Sequence, residues 1–331
     1  MDFALTEEQT LLRDTARALL ANKCPPSLVR AHIEDPSVAD GLWAHLREFA
    51  ALGDGPSTDL AVFCEELGYA AAPGVFFPTV AQFAPLLDAI RHPLLDDVLE
   101  GAVTGTVALA GASGDWVVNG DEIKTFVAEA DRVDWIAVVG SGPEVRVVAR
   151  EAVALRRVQT VDPSRRLFEV EVTGTGETHI VEPGVVDAML ARATVALAAE
   201  MVGTARRMAD MSVAYAKERY QFGVPIGSFQ AIQHKLADMS LAVERAQSAV
   251  QYAAMTLDAG DAERHRAVHT AKAAAGSAAT RAAKDGVQTH GGIGFTWEHD
   301  LHLFIRRAYG SAYWMGTTAW HHDRLADLLF A

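Results

Sequence analysis

Apolar positions recur at three- and four-residue spacing over most of this chain and give way to strand-like runs only once, in the middle. Leu11, Leu12, Ala16, Leu19 and Leu20 share one helical face. Leu42, His45, Leu46 and Phe49 repeat the pattern, and so do Leu60, Phe63, Cys64 and Leu67. Thr6, three residues ahead of Gln9, predicts a capped helix start, with the hydroxyl on Gln9 N–H and the amide reaching back. Pro25-Pro26, Pro36, Gly53-Asp54-Gly55-Pro56 and Pro73-Gly74 punctuate these helices.

The period changes near Thr104. Val107–Ala110, Trp135–Val139, Val145–Ala149 and Leu167–Val172 read as strands. Asn119-Gly120, inside the run from Asp115 to Ile123, predicts a hairpin turn, because both turn residues need positive φ. Pro183-Gly184 closes this block.

Helical spacing then returns. Leu190, Thr194, Leu197, Met201, Ala205 and Met208 mark one face; Phe229, Ile232, Leu236, Met239 and Val243 mark another. Val268–Ala283 is rich in alanine, and small faces let helix axes approach closely, so this helix is expected inside a bundle. The order predicts an α+β chain: a shortened N-terminal helical domain over 1–103, a middle β domain over 104–182 and a C-terminal helical bundle over 183–331.

Composition narrows the function classes. Half of the 331 residues are hydrophobic and 22% are charged, an ordinary globular balance. The net charge of −14 argues against nucleic-acid binding, which needs a basic footprint, and against docking on anionic lipid. No apolar run approaches the roughly 18–20 residues of a membrane span, and the N-terminus lacks the basic and apolar regions of a signal peptide. Cys24 and Cys64 are too few for a disulfide framework and read as buried small hydrophobes, so a cytoplasmic setting is expected.

Two stretches carry the chemical signal. One runs Glu218-Arg219-Tyr220-Gln221-Phe222-Gly223-Val224-Pro225-Ile226-Gly227-Ser228-Phe229-Gln230-Ala231-Ile232-Gln233-His234; the other runs Gln288-Thr289-His290-Gly291-Gly292-Ile293-Gly294-Phe295-Thr296. Alone, Gly-Gly-x-Gly is a turn and an arginine at a helix end is a dipole partner. Together they resemble the flavin-contacting signatures of the acyl-CoA dehydrogenase family. Asp2–Gln9, Glu65-Glu66-Leu67-Gly68 and Asn119–Lys124 are similar to further family segments, so the resemblance covers nearly the whole chain.

That resemblance implies an N-terminal helical domain, a β domain and a C-terminal four-helix bundle around FAD. It implies removal of a proton α to an acyl-CoA thioester and of a hydride from the β carbon, which the cofactor accepts. By resemblance, Arg219, Gln221, Phe222, Gln288, Gly291 and Gly292 serve an FAD held mainly by a neighbouring subunit. An arginine fork suits a phosphate, Phe222 an apolar contact, and glycines let backbone N–H groups come close.

The departures fall on one side. The family's catalytic glutamate position reads Met315, and the alternative site, beside Arg192, reads Ala193. The family loop that meets flavin and acyl chain is replaced by Leu109–Trp116 with a deletion. Phe126 keeps an aromatic, but the hydroxyl position is Ala128. Contacts to the chain's own flavin and substrate are lost while those to a neighbour's FAD are kept. The resemblance therefore implies a non-catalytic subunit of an α2β2 acyl-CoA dehydrogenase acting on bulky steroid-CoA thioesters. Its partner would be a longer paralogue with an intact base, and its oxidant an electron-transfer flavoprotein. Two alternatives stand beside it: a self-sufficient homo-oligomer with Glu200 or Asp323 as an unusual base, and a non-enzymatic scaffold.

The remaining candidates read as structural. Adjacent His321 and His322 point about 100° apart on a helix, and His299 with His302 is taken as surface or interface, so no metal is assigned. Met201, Met208, Met211 and Met239 are expected in the core, Trp314 and Trp320 over the vacated pocket, and His234 at an interface.

Overall fold

The computed structural model describes residues 3–330; Asp2, the first residue of the N-terminal motif, lies outside them. Helices come first: α1 (Glu7–Lys23), α2 (Pro26–Glu34), α3 (Val38–Leu46), α4 (Ser57–Ala70), α5 (Ala84–Ala89) and α6 (Leu95–Leu99), with a π-helical stretch at Phe77–Phe83. Seven strands follow: β1 (Gly105–Ala108), β2 (Ile123–Ala128), β3 (Trp135–Val139), β4 (Glu144–Ala149), β5 (Val153–Val158), β6 (Leu167–Val172) and β7 (Glu177–Ile180). The chain then returns to helix in α7 (Val185–Glu218), a short hairpin β8 (Tyr220–Gln221) and β9 (Val224–Pro225), α8 (Gln230–Asp258), α9 (Arg264–His290), α10 (Leu301–Tyr313) and α11 (Thr318–Phe330). This is the expected α+β order. No helix of the described residues is long and apolar enough to cross a membrane.

Two compact units form. One joins residues 1–30, 61–72 and 195–331; the other joins 31–60 and 73–194. In the second unit β1-β3-β4-β7 make a four-stranded sheet, parallel only at β1/β3, and β2-β6-β5 make an antiparallel sheet. Val127, Phe168 and Val170 from one sheet meet Ala108, Ile136 and Val148 from the other in a shared core. A bulge between Lys124 and Val127 puts Phe126 at φ 55°.

The Asn119-Gly120 hairpin does not form. The Asn119 amide donates to the Leu109 and Val117 carbonyls, its Oδ1 accepts from Asp121 N–H, and the buried Lys124 ammonium caps Asn119 O and Oδ1 at 3.0 and 2.7 Å. Those bonds hold residues 109–122 as an irregular loop, because local side-chain partners outcompete a ladder. Sequence pattern also missed β5 and β7, whose edge positions are mostly polar or half-exposed.

The first unit is organised by small residues. The Thr6 capping box is present, with both reciprocal bonds made. The expected interior helix is α9, whose Ala271, Ala275, Ala278, Ala279 and Ala282 are buried. The tightest approach is between α4 and α7. A Cβ on Gly68 would stand 1.8 Å from Glu200 O, and one on Gly203 would stand 1.8 Å from Glu65 O. The Thr204 hydroxyl fits this crossing, 3.1 Å from Gly68 O and 3.0 Å from Glu200 O. The two acids of the Glu65-Glu66-Leu67-Gly68 motif point to different helices. Glu66 takes a bidentate bond from Arg17 on α1, and Glu65 pairs with Arg206 on α7. The motif is therefore an assembly device in this chain.

Because backbone, not a flexible side chain, occupies the space, Gly203→Val is expected to cost about 3 kcal/mol or more. Thermal or urea melts check this against Gly292→Ala, whose Cβ meets open space and which is expected to melt like the parent. Equal melting of the two variants would refute the close crossing.

Candidate functional site

The flavin-signature residues sit at one end of the first unit. Arg219 follows the last turn of α7, and Ile226 N–H closes the hairpin onto Arg219 O at 2.8 Å. Phe222 (φ 53°) and Gly223 (φ 82°) form the two-residue tip, both left-handed as a primed hairpin turn requires. A phenylalanine at positive φ carries a strain that glycine would not. Phe222 is 93% exposed, touching the Phe229 ring edge-on at 6.2 Å. Arg219 and Gln221 are also exposed, and Gln221 donates only to Tyr220 O. Among the described residues no carboxylate pairs with Arg219.

The second signature begins at the end of α9. Gln288 points to solvent, and Gly291 leaves the helix at φ 65°, ψ −141°, a conformation closed to other residues. Nothing lies within 4 Å of the space a Cβ would take at Gly291 or Gly292. Tyr215, one turn before Arg219, stacks on His290 at 4.5 Å with 25° between planes, and His299 closes on His290 at 4.7 Å. His290 Nδ1 donates to Gly286 O at 2.8 Å. This stack fastens the end of α7 to the end of α9 and so brings the two signatures together. Sequence reading quoted His290 but gave it no role; an aromatic four residues before Arg219 was the available signal.

Met315, expected from the sequence at the position of the family base, sits in a closed turn. Met315 is buried at φ 58°, with Gly316 at φ 96° behind it. The buried Lys272 ammonium donates to Ser311 O at 3.1 Å and Gly316 O at 2.9 Å. His321 Nε2 lies 3.1 Å from Met315 O, and its Nδ1 is 2.8 Å from His269 Nδ1. A carbonyl only accepts, so His321 carries its proton on Nε2 and accepts from His269 Nδ1–H. Burial, with Lys272 nearby, pushes His321 down to about 3; burial also takes His269 down to about 4. Both rings stay neutral at physiological pH, and the Met315 side chain itself offers no group that takes up a proton.

Glu200 is not free either. Its Oε1 lies 2.9 Å from Arg307 Nη1, with both side chains 2% exposed. Arg307 also donates to Ala72 O and Ala71 O, just beyond α4, where a cation suits the helix C-terminus. Ala193 is fully buried, and Arg192 beside it donates to Leu52 O and the Ser57 hydroxyl. Asp323 and His234 are exposed. Met201, Met208 and Met239 are core residues, and Trp314 is buried beside Met315. Burial drives the Cys24 thiol up to about 12, so it stays protonated.

Residues 184–330 match the acyl-CoA dehydrogenase C-terminal domain. The chain is 36% identical over 320 residues to acyl-CoA dehydrogenase IpdE2 of Mycobacterium tuberculosis, covering 92% of each. The crystal structure of the ChsE4-ChsE5 complex from Mycobacterium tuberculosis superposes with TM-score 0.88 at 23% identity, covering 99% of both chains. The Tcur3481-Tcur3483 steroid ACAD G363A variant also superposes at 0.88, with 25% identity and 98% coverage of both.

Two outcomes follow from this geometry. Glu200→Gln leaves Arg307 buried without its counter-charge and is expected to cost about 3–5 kcal/mol in a denaturant melt; an unchanged midpoint would show the pair to be dispensable. The folded pKa values of His321 and His269 lie below the ordinary 6.5, so the unfolded chain binds these protons first. Stability is then present above pH 6.5 and lost as pH falls from there toward 4. Melting temperatures taken from pH 7.5 to 4.5 should fall less steeply in His321→Gln than in the parent; parallel curves would remove His321 from the effect.

Proposed function

The chain belongs to the acyl-CoA dehydrogenase family, and from that premise we propose that it is the non-catalytic subunit of a heteromeric, FAD-dependent acyl-CoA dehydrogenase. The single observation that carries this reading is a contrast within one unit. Arg219, Gln221, Phe222, Gln288, Gly291 and Gly292 are exposed, and the stack of Tyr215 on the buried His290 holds their two segments side by side. The base position, by contrast, is Met315 in a turn closed by Lys272 and His321.

The donor set fits a dinucleotide. Arg219 offers a bidentate fork for a diphosphate, Gln288 an amide for the nucleotide, and Phe222 an apolar face. Gly291 and Gly292 leave room for backbone N–H groups to approach. FAD, when bound, would accept the hydride from the β carbon of the thioester. This chain's residues would hold its diphosphate and exclude water, while a longer paralogue would supply the base and most of the flavin cradle. Pairing as α2β2 would use the exposed aromatic end. The substrate in this reading is a bulky, steroid-derived acyl-CoA. Similarity to the steroid ACAD supports that, and so does the short 109–122 loop. An electron-transfer flavoprotein would reoxidise the complex.

Glu200 as a substitute base is the weaker alternative, because Arg307 already occupies its carboxylate.

Co-expression with a longer paralogue is the direct test. The lone chain is expected colourless, and the complex yellow, with one FAD per pair of chains. Arg219→Ala should weaken flavin retention about tenfold to a hundredfold, the worth of one charge-assisted bond. A yellow homo-oligomer with one FAD per chain would overturn the proposal.

A further inference from the structure

A second cluster lies in the other unit, and it owes nothing to the flavin reading. β7 is the outer strand of the four-stranded sheet, paired to β4 with Glu177 opposite Val147 and His179 opposite Val145. Residues two apart on a strand project from the same face, so Glu177 and His179 face the same way. His92 arrives there from the turn between α5 and α6. Glu177 Oε2 lies 3.6 Å from His92 Nε2, and Oε1 lies 3.4 Å from His179 Nε2. One donor atom from each of the three residues lies within 4.8 Å of the others. Both Nε2 atoms are buried without a hydrogen-bond partner. Two orphaned nitrogens aimed at one carboxylate call for a ligand, since buried polar atoms are rarely left unpaired.

We propose that His92, Glu177 and His179 bind a divalent transition-metal ion, Zn2+, which clamps the sheet edge to the α5–α6 turn. Imidazole nitrogen with carboxylate oxygen suits zinc; calcium and magnesium take oxygen ligands. The ring arrangement agrees. The His92 and His179 centroids are 5.1 Å apart with 65° between planes. Two imidazoles bound tetrahedrally through nitrogens at roughly 2.0–2.1 Å place their centroids about 5 Å apart. Glu177 is 61% exposed, which gives the ion a way in and leaves solvent as the fourth ligand.

Binding has one local cost. Leu94 N–H donates to His92 Nδ1 at 3.1 Å, so the neutral ring carries its proton on Nε2, facing Glu177. Zinc displaces that proton, Nδ1 takes one up, and the Leu94 amide turns out of the contact. One turn hydrogen bond is small beside three metal–ligand bonds. Zinc affinity should therefore fall with falling pH, as protons compete for the same nitrogens.

The spacing hid this site: His92 is far from Glu177 and His179 in sequence, and only the sheet brings them together.

The test uses full-length chain without a polyhistidine tag, stripped with chelator and titrated with Zn2+ against a chromophoric competitor. One zinc per chain should be retained through gel filtration and should raise the melting temperature. His92→Ala and His179→Ala should each weaken binding by more than the roughly ten- to hundredfold typical of losing a supporting residue. Glu177→Gln, on an exposed side chain, tests the site where a buried-histidine variant fails to fold. Retention of no zinc by the parent, or equal retention by parent and Glu177→Gln, would overturn the proposal.

Discussion

The crossing of α4 on α7 is the constraint on which the rest of the first unit depends. Gly68 and Gly203 remove side chains where the backbones touch, and that contact decides what the neighbours can reach. Thr204 spans carbonyls of both helices only because they are so close. Arg307 bridges Glu200 on α7 and the carbonyls just beyond α4 for the same reason. A buried ion pair contributes little net stability against well-packed apolar residues, yet it is costly to break on one side. Its effect here is to lock Glu200, one of the two acids considered as a substitute base.

Two buried cations, Arg307 and Lys272, set the surroundings of Glu200 and Met315. Arg307 quenches a carboxylate. Lys272 draws Ser311 O and Gly316 O inward and, with His321, fixes the turn that carries Met315. At the far end of the same helices the side chains are left outward: Arg219, Gln221, Phe222 and Gln288 find almost no partner within the described residues. A chain closed at one functional position and open at the other is what a division of labour between paralogous subunits would produce.

Much of this was legible in the residues. The Thr6 capping box, the alanine-rich interior of α9 and the β-branched run of the Trp135–Val139 strand follow from local rules, and each is present. The Asn119-Gly120 hairpin failed because the dipeptide's strongest partner was not the next strand but Lys124, Leu109 and Asp121 around it. β5 and β7 escaped notice because an edge strand needs no alternating apolar face. Tyr215, His290 and His299 could not be grouped, since nothing in spacing says that the ends of α7 and α9 meet.

The sequence by itself determined the order of elements, the family, and the absence of a carboxylate at Met315, because periodicity and residue identity are local properties. Tertiary structure alone decided that Glu200 is paired, that Met315 sits in a clamped turn, and that His92 faces Glu177 and His179. Each of these depends on which distant segments share a few ångströms, and burial there sets whether a charge is neutralised, a ring stays unprotonated or a nitrogen is left to bind a ligand.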